Sequence, residues 1–142
     1  MNRKIKFRVW DKYKKQMYPI SSIDYDIFSQ EIRIIAVGHE NGMCTAYNKN
    51  HNSEKCDITA LELMQYTELH DKTGKEIYEG DIVKITGSKE IDIGKVIYEY
   101  NGFIVDVMNM DRFYGRVHLL EKFTEVIGNI YEDSELLGGE DE

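Results

Sequence analysis

Two histidines and two cysteines in the first half of the chain are the residues best suited to bind a metal ion. His39, Cys44, His51 and Cys56 fall within eighteen residues, and two imidazoles with two thiolates would suit tetrahedral zinc. Four residues separate each His from the Cys that follows it, whereas zinc sites usually include a close Cys-x-x-Cys pair. Cys44 also lies on a predicted strand, where it can be an ordinary small buried residue. We therefore expect no metal and no other cofactor.

Three carboxylates near a predicted turn, Glu76, Glu79 and Asp81, are the other group that could carry chemistry. Such a group can bind a divalent cation or transfer protons, so a small metal-dependent hydrolase is one alternative. Carboxylates at the surface of an acidic protein are usually solvated, however, and the chain contains no GxSxG, Walker or HExxH motif. We predict that the protein is not an enzyme and has no catalytic residues.

A basic N-terminal segment is the best candidate for a contact with another molecule. The first fifteen residues carry a net charge of +6, and the remaining 127 carry −14. Positive side chains alternate there with aromatic ones, an arrangement that can hold phosphates and stack on bases. The candidate interaction surface comprises Arg3, Lys4, Lys6, Arg8, Trp10, Lys12, Tyr13, Lys14 and Lys15.

The partner of this basic segment is open at the level of the sequence. A net charge of −8 argues against a general nucleic-acid binder, because that affinity comes mainly from cations that displace phosphate counterions. A regulator that contacts nucleic acid is therefore an alternative and not the favoured hypothesis. The basic segment can equally face the acidic remainder of a second copy, which predicts a homo-oligomer. Another protein is a further possible partner.

Composition places the chain among single-domain, strand-rich proteins. The 142 residues include 42% hydrophobic ones, enough for one core. Ten Tyr with many Ile and Val favour strands. No segment approaches the roughly 20 apolar residues of a membrane helix, so no membrane contact is expected. Two cysteines are too few for a disulfide scaffold, and we expect a cytoplasmic protein.

The elements that must position these residues are mostly strands. Ile5, Phe7 and Val9 alternate with Lys6 and Arg8, which predicts a first strand with one buried face. Asn41-Gly42 predicts a tight hairpin turn. Turn signals recur every eight to twelve residues, which favours a barrel or sandwich. The other predicted strands are Gln16 to Ile20 with Pro19 at its end or at an edge, Ile23 to Phe28, Glu31 to Val37, Met43 to Tyr47, Met64 to Thr67 after a brief helical turn, Ile82 to Thr86, Asp92 to Glu99, Phe103 to Met108 and Phe123 to Tyr131.

Three blocks of sequence resemble the YopX-like proteins of phages and prophages. They are KFRVWDKYKKQMY at Lys6 to Tyr18, LMQYTELHDKTGKEIYEGDIVK at Leu63 to Lys84 and VIGNIYEDSELL at Val126 to Leu137. Their order and spacing are similar to those of the family. Glu68 departs from the pattern, because the family usually has Gly there, and this argues against a positive φ at that position.

The resemblance implies an all-β, irregular fold with a small barrel-like sheet and at most short helices. It supplies no catalytic residue. It implies that the protein acts in the cytoplasm of a bacterial host and that a host or phage protein is a possible partner. We expect one YopX-like β domain over residues 1–137, with an N-terminal lobe at about 1–56 and a barrel-like lobe at about 57–137. An acidic, disordered tail would follow at 138–142. The favoured hypothesis is a phage- or prophage-encoded, non-enzymatic binding or assembly module that self-associates.

Overall fold

A computed structural model describes residues 3–49, 56–87, 91–99, 101–107, 116–118 and 121–138. The chain divides into an N-terminal unit, Lys6–Gln65, and a C-terminal unit, which combines Met1–Ile5 with Tyr66–Glu142. The predicted turn Asp111 to Gly115 and the predicted tail beyond Gly138 lie outside the described residues. Within the described residues, no helix has the length and apolar character needed to cross a membrane.

The N-terminal unit is an antiparallel sheet in the order β4-β3-β2-β1-β5. Its buried core includes Val9, Ile35 and Val37 with the rings of Tyr18 and Tyr47. The alternation at the start of the chain therefore predicts the first strand and its buried face correctly. The strands of this unit are β1 (Phe7–Asp11), β2 (Gln16–Asp26), β3 (Glu31–Gly38), β4 (Cys44–Asn48) and the first half of β5 (Leu61–His70).

The prediction of two separate strands at Gln16 to Ile20 and Ile23 to Phe28 is wrong, because β2 is continuous over eleven residues. Pro19 lies inside it, at the point where β2 changes partners. Pairing with β1 ends at Arg8↔Pro19, and pairing with β3 begins at Ile20↔Val37. A proline has no N–H to donate, so this change of partner is a place in the strand where it is tolerated.

The hairpin predicted at Asn41-Gly42 joins β3 to β4. Gly42 has φ +85°, and its N–H donates to the carbonyl of His39 at 3.0 Å. The N–H of His39 in turn donates to the carbonyl of Met43 at 2.9 Å. Only the glycine of the pair needs positive φ, so the connection is a longer loop than the two-residue turn that the dipeptide predicts.

The C-terminal unit contains a five-stranded antiparallel sheet in the order β10-β9-β8-β7-β11. Its core is aliphatic, with Ile77, Val83, Val96 and Val105 fully buried. The second half of β5 pairs with β6 through Tyr66↔Tyr78. The remaining strands are β6 (Glu76–Tyr78), β7 (Asp81–Thr86), β8 (Ile91–Glu99), β9 (Gly102–Val107), β10 (Arg116–His118) and β11 (Thr124–Asn129).

These strands confirm the all-β class and correct one detail. Within the described residues, the five-stranded sheet is open, with β10 and β11 at its edges, and is not a closed barrel. The helical elements are single 3₁₀ turns at Ile58–Ala60, Glu121–Phe123 and Ser134–Leu137. The first is the brief turn predicted after Asp57, whose side chain accepts the N–H of Thr59 at 2.9 Å.

Candidate interaction surfaces

The turn between β1 and β2 carries four members of the predicted interaction surface, from Lys12 to Lys15. Asp11 builds this turn, because its Oδ1 accepts the N–H groups of Tyr13 at 2.8 Å and Lys14 at 2.9 Å. The N–H of Lys15 donates to the carbonyl of Asp11 at 2.8 Å, and Lys15 has φ +54°. The turn therefore holds its basic side chains on a backbone fixed by one buried carboxylate.

The second carboxylate oxygen of Asp11 accepts a hydrogen bond from a side chain of the same unit. The hydroxyl of Tyr47 donates to Oδ2 at 2.6 Å, and Lys14 Nζ lies 3.0 Å from that hydroxyl. Burial alone would raise the pKa of Asp11, but the hydrogen bonds from Tyr47 and the turn N–H groups lower it below its usual value. Burial and the bond to Asp11 raise the pKa of Tyr47 far above its ordinary range. Asp11 is therefore ionised and Tyr47 protonated at neutral pH.

Other basic residues of the predicted surface also have neighbours within their own unit. Lys12 Nζ lies 3.4 Å from Glu62 Oε1, and Arg8 lies beside Met64, with Nη2 and the sulfur 3.7 Å apart. Trp10 is only 7% exposed, so its ring does not present a face to solvent for stacking. Tyr13, at 72% exposure, is the aromatic ring at this turn that faces solvent.

Arg3 and Lys4 belong to the C-terminal unit, where both contact Glu68. Arg3 Nε lies 2.8 Å from Glu68 Oε1, and the Lys4 N–H donates to Oε2 at 3.3 Å. Glu68 has φ +73° at an irregularity in the β5–β6 pairing. The expectation that Glu argues against positive φ here is wrong. The predicted surface is thus divided between the two units, and its role as one contact remains a prediction.

The His and Cys set does not form a metal site in the described part of the chain, where no three His, Cys, Asp or Glu side chains come together. Cys44 is exposed and Cys56 is half-buried, both as free thiols. His39 Nε2 lies 2.7 Å from Thr45 Oγ1. His51 lies outside the described residues.

The central carboxylates have structural partners. Asp81 is buried, and its Oδ2 accepts the N–H of Tyr78 at 2.7 Å across the turn between β6 and β7. Glu76 Oε1 accepts the hydroxyl of Tyr78 at 3.3 Å. Glu79 is half-buried in the same turn. Asp81 therefore acts as an anchor for the turn, in the same way as Asp11 does in the other unit.

The tip of the β2–β3 hairpin is a surface that the sequence analysis misses. Tyr25, Ile27 and Phe28 are 52%, 72% and 92% exposed. Asp26 shapes the tip, because its Oδ1 accepts the N–H of Phe28 at 2.9 Å and its carbonyl accepts the N–H of Gln30 at 2.8 Å. The Phe28 N–H lowers the pKa of Asp26. The signal in the sequence is the apolar pair Ile27-Phe28 at the end of a predicted strand, a pattern that does not distinguish buried from exposed side chains.

A cavity of about 520 Å³ lies between β2 and the turn that joins β3 to β4. Residues 16–19 line one side and residues 38–41 line the other. Inside it, the rings of Tyr18 and His39 pack edge to face with centroids 5.3 Å apart. The hydroxyl of Tyr18 lies 3.3 Å from Gln16 Oε1. These side chains contact one another, and nothing in their chemistry singles out a ligand.

The sequence and the fold of this chain are similar to those of known proteins. A family model described as YopX protein matches residues 6–138. The crystal structure of protein EF1440 from Enterococcus faecalis is similar, with a TM-score of 0.63 and 26% identity over 94% of this chain and 98% of that chain. Protein yopX from Bacillus subtilis gives 0.61 and 24% identity over 96% and 99%. No curated protein matches the sequence.

Proposed function

This chain belongs to the YopX family, and from that premise we propose that it is a phage- or prophage-encoded, non-enzymatic binding or assembly module. It acts in the bacterial cytoplasm, self-associates, and contacts a second protein through the tip of its β2–β3 hairpin. The observation that supports this proposal is the exposure of Tyr25, Ile27 and Phe28 on a turn that does not need them for its own structure.

The chemistry of the hairpin tip favours a protein partner with an apolar recess. Asp26 and Gln30 provide the hydrogen bonds that form the turn, whereas Ile27 and Phe28 contribute apolar surface to solvent. Burying a Phe or Ile side chain fully stabilises a complex by about 1.5–3 kcal/mol. Two such residues side by side are a suitable anchor, because a few buried apolar or aromatic side chains dominate most interfaces.

The buried aspartates support a non-enzymatic role. Asp71 Oδ1 accepts the N–H groups of Thr73 and Lys75 at 2.8 and 2.9 Å, and its Oδ2 accepts the N–H of Val126 at 2.9 Å. Asp11 is bonded in a comparable way. A general base must have a lone pair directed at a substrate, and in both aspartates the oxygens are directed at turn and strand donors instead.

Self-association and partner binding are tested separately. Light scattering on the purified full chain measures the molar mass over a wide concentration range, and we expect a definite oligomer. For the tip, the Ile27→Ser/Phe28→Ser variant and a matched control, Ile91→Ser, are used to capture partners from lysogenic cells. Ile91 is 62% exposed on β8, so the control removes apolar surface elsewhere.

We expect the wild type and Ile91→Ser to recover the same protein and the tip variant to lose it. Melting temperatures of all three should agree, because the tip side chains are solvated. A monomeric chain at every concentration would contradict self-association. A partner that is retained by the tip variant would contradict the role of the hairpin.

Nucleic-acid binding at the β1–β2 turn is a second candidate, because Tyr13 is exposed between the basic side chains of Lys12 and Lys15. A single-stranded oligonucleotide is the appropriate probe. Affinity should fall as salt rises, with a slope of about −0.7 per phosphate contact. The Lys12→Gln/Lys15→Gln variant should lower the slope, while Lys49→Gln serves as a control. Binding that is absent at low salt would exclude this candidate.

A further inference from the structure

Strand β4 is an edge of the N-terminal sheet, and its own five residues lack the features that usually protect an edge. It consists of Cys44, Thr45, Ala46, Tyr47 and Asn48, with no charge and no proline. Natural edge strands are normally protected from pairing with other chains by charged residues, prolines, bulges or a covering segment. β4 pairs with β3 over five successive residues without a register shift. Within the described residues, the pairing seen on its other side is one bridge at its end, Asn48↔Asp57.

Strand β11, an edge of the sheet in the C-terminal unit, is protected in several ways. It carries Glu125 and has a register shift between Val126 and Gly128. Its main chain is also occupied, because the Lys72 N–H donates to the carbonyl of Thr124 at 2.9 Å and Asp71 accepts the N–H of Val126. The lack of protection on β4 is therefore a property of that strand and not of all edges in this chain.

The charges that flank β4 are complementary to those of a second copy. Glu40 lies before the strand and Lys49 directly after it, both exposed, and every residue from 41 to 48 is uncharged. When two identical strands pair antiparallel about a two-fold axis, the start of each lies beside the end of the other. Glu40 of one copy then lies near Lys49 of its partner, at both ends of the interface.

We propose that two copies of the chain pair through their β4 edges, antiparallel, to form a two-fold dimer with one continuous sheet. This proposal rests on the proposed self-association and names the surface responsible. The exposed side chains of Cys44 and Ala46 are small, so a second strand can approach closely. Main-chain hydrogen bonds supply the affinity, as in other cases of strand addition.

The dimer leaves the hairpin tips accessible. β4 pairs only with residues Ile34 to Gly38 of β3, whereas β3 begins at Glu31. The tip at residues 27–30 therefore lies beyond the end of β4. One dimer would present two tips, and two linked contacts bind more tightly than one when the partner offers two recesses.

A charge placed on β4 tests the edge directly. In the Ala46→Lys variant, a lysine is added to each of the two paired strands near the two-fold axis, and we expect the mass measured by light scattering to fall to half or less. Because Ala46 is exposed, the variant should keep the wild-type circular dichroism spectrum. Ser22→Lys is the matched control, since Ser22 is exposed and lies on β2, where it pairs with Ala36 of β3 away from the β4 edge.

Charge reversal provides a second test that does not alter the strand. Glu40→Lys and Lys49→Glu should each weaken dimerisation, by about tenfold in Kd when both ends of the interface are counted. The double variant should restore the wild-type Kd, because it exchanges the charges at each end. Lys49 also contacts Glu31 within the chain, so the melting temperature of each variant is measured as well.

The outcomes separate the two proposals. A wild-type chain that is monomeric overturns both self-association and the edge contact. A wild-type oligomer that keeps its mass in Ala46→Lys overturns the edge contact alone. If Ala46→Lys unfolds, the charge exchange decides: restored affinity in the double variant supports antiparallel pairing, and additive weakening contradicts it.

Discussion

Asp11 in the N-terminal unit and Asp71 in the C-terminal unit are buried aspartates that build turns in the same way. Each accepts N–H groups from residues two to four positions later in the chain. They differ in how they contact an edge strand. Asp71 accepts the main-chain N–H of Val126 on β11, whereas Asp11 contacts β4 through the Tyr47 hydroxyl.

This difference concerns whether the main chain of the edge strand in each unit is bonded to an aspartate. A carboxylate bonded to the backbone of β11 occupies a donor that another strand would need. A carboxylate bonded to a tyrosine side chain orients β4 but itself occupies none of the main-chain groups of that strand. The charges follow the same division, because residues 6–65 contain eight basic and eight acidic side chains. The net charge of −8 therefore resides entirely in the other unit, where it also discourages association.

The largest expected change in unfolding free energy comes from replacing these aspartates, one at a time, by asparagine, which removes the charge. In Asp71→Asn, an amide nitrogen or a shifted oxygen must face main-chain donors that cannot reorient, and we expect a loss of about 3 kcal/mol in unfolding free energy. In Asp11→Asn, the new amide can donate to Tyr47, whose hydroxyl can rotate and accept. We expect a loss of about 1 kcal/mol there.

Urea denaturation of both variants against the wild type measures this contrast. Lys72→Gln, an exposed change in the Asp71 turn, serves as the control for local disturbance. Equal losses at the two aspartates would show that the rotating hydroxyl of Tyr47 gives no advantage, and the comparison between the units would lose its basis.

The second-largest effect is expected from acid, which should reduce the stability that the ionised Asp71 gives to its turn. Burial opposes ionisation, but the Thr73 side chain and the N–H groups of Val126, Lys75 and Thr73 lower the pKa of Asp71 from 3.8 to about 2. Because the folded pKa is the lower one, this stabilisation is complete above about pH 4 and is lost as pH falls toward 2. It amounts to about 2 kcal/mol. Denaturation midpoints of the wild type should fall over that range, and those of Asp71→Asn should fall less.

Tyr47→Phe is expected to have a smaller effect, confined to the N-terminal unit. It removes the 2.6 Å bond to Asp11 and the contact with Lys14 Nζ. The buried carboxylate loses one of its donors, which should cost about 1–2 kcal/mol in unfolding free energy. The pKa of Asp11 should rise, which carbon-detected NMR measures. Tyr25→Phe is the control at an exposed ring, and an equal loss there would refute the assignment.

Local patterns in the sequence predict much of this fold, and long-range contacts explain the rest. Alternation around Val9 predicts β1, and Asp57 predicts the turn before β5. The partner of Asp11 is 36 residues away, and no local pattern identifies it. Pro19 indicates an end or an edge in any single strand, and only the exchange of partners along β2 explains its position.

The contacts of the candidate interaction surface are also long-range, so local sequence patterns do not predict them. The basic residues and their charge are evident from the first fifteen positions, but their partners Glu62 and Glu68 lie at least fifty residues further along the chain. At the apolar hairpin tip, the sequence pattern does not predict that the side chains are exposed. Ile27 and Phe28 have the sequence pattern of buried strand residues, and their exposure follows from where β2 ends.

Glu68 offers the smallest and most selective test. Unlike Asp11 and Asp71, which are buried, it is a half-buried carboxylate, and it contacts a backbone position with positive φ that is its own. Glu68 has φ +73° and bonds to Arg3 and the Lys4 N–H. Replacement by Ala removes the bonds and keeps the left-handed backbone, whereas replacement by Gly removes the bonds and relieves the backbone. The Glu68→Gly protein should therefore melt a few degrees above Glu68→Ala, and close to the wild type. Arg3→Gln controls for the ion pair alone. If Gly and Ala variants melt together, the positive φ carries no strain, and the Glu at this position is tolerated for reasons other than its contacts.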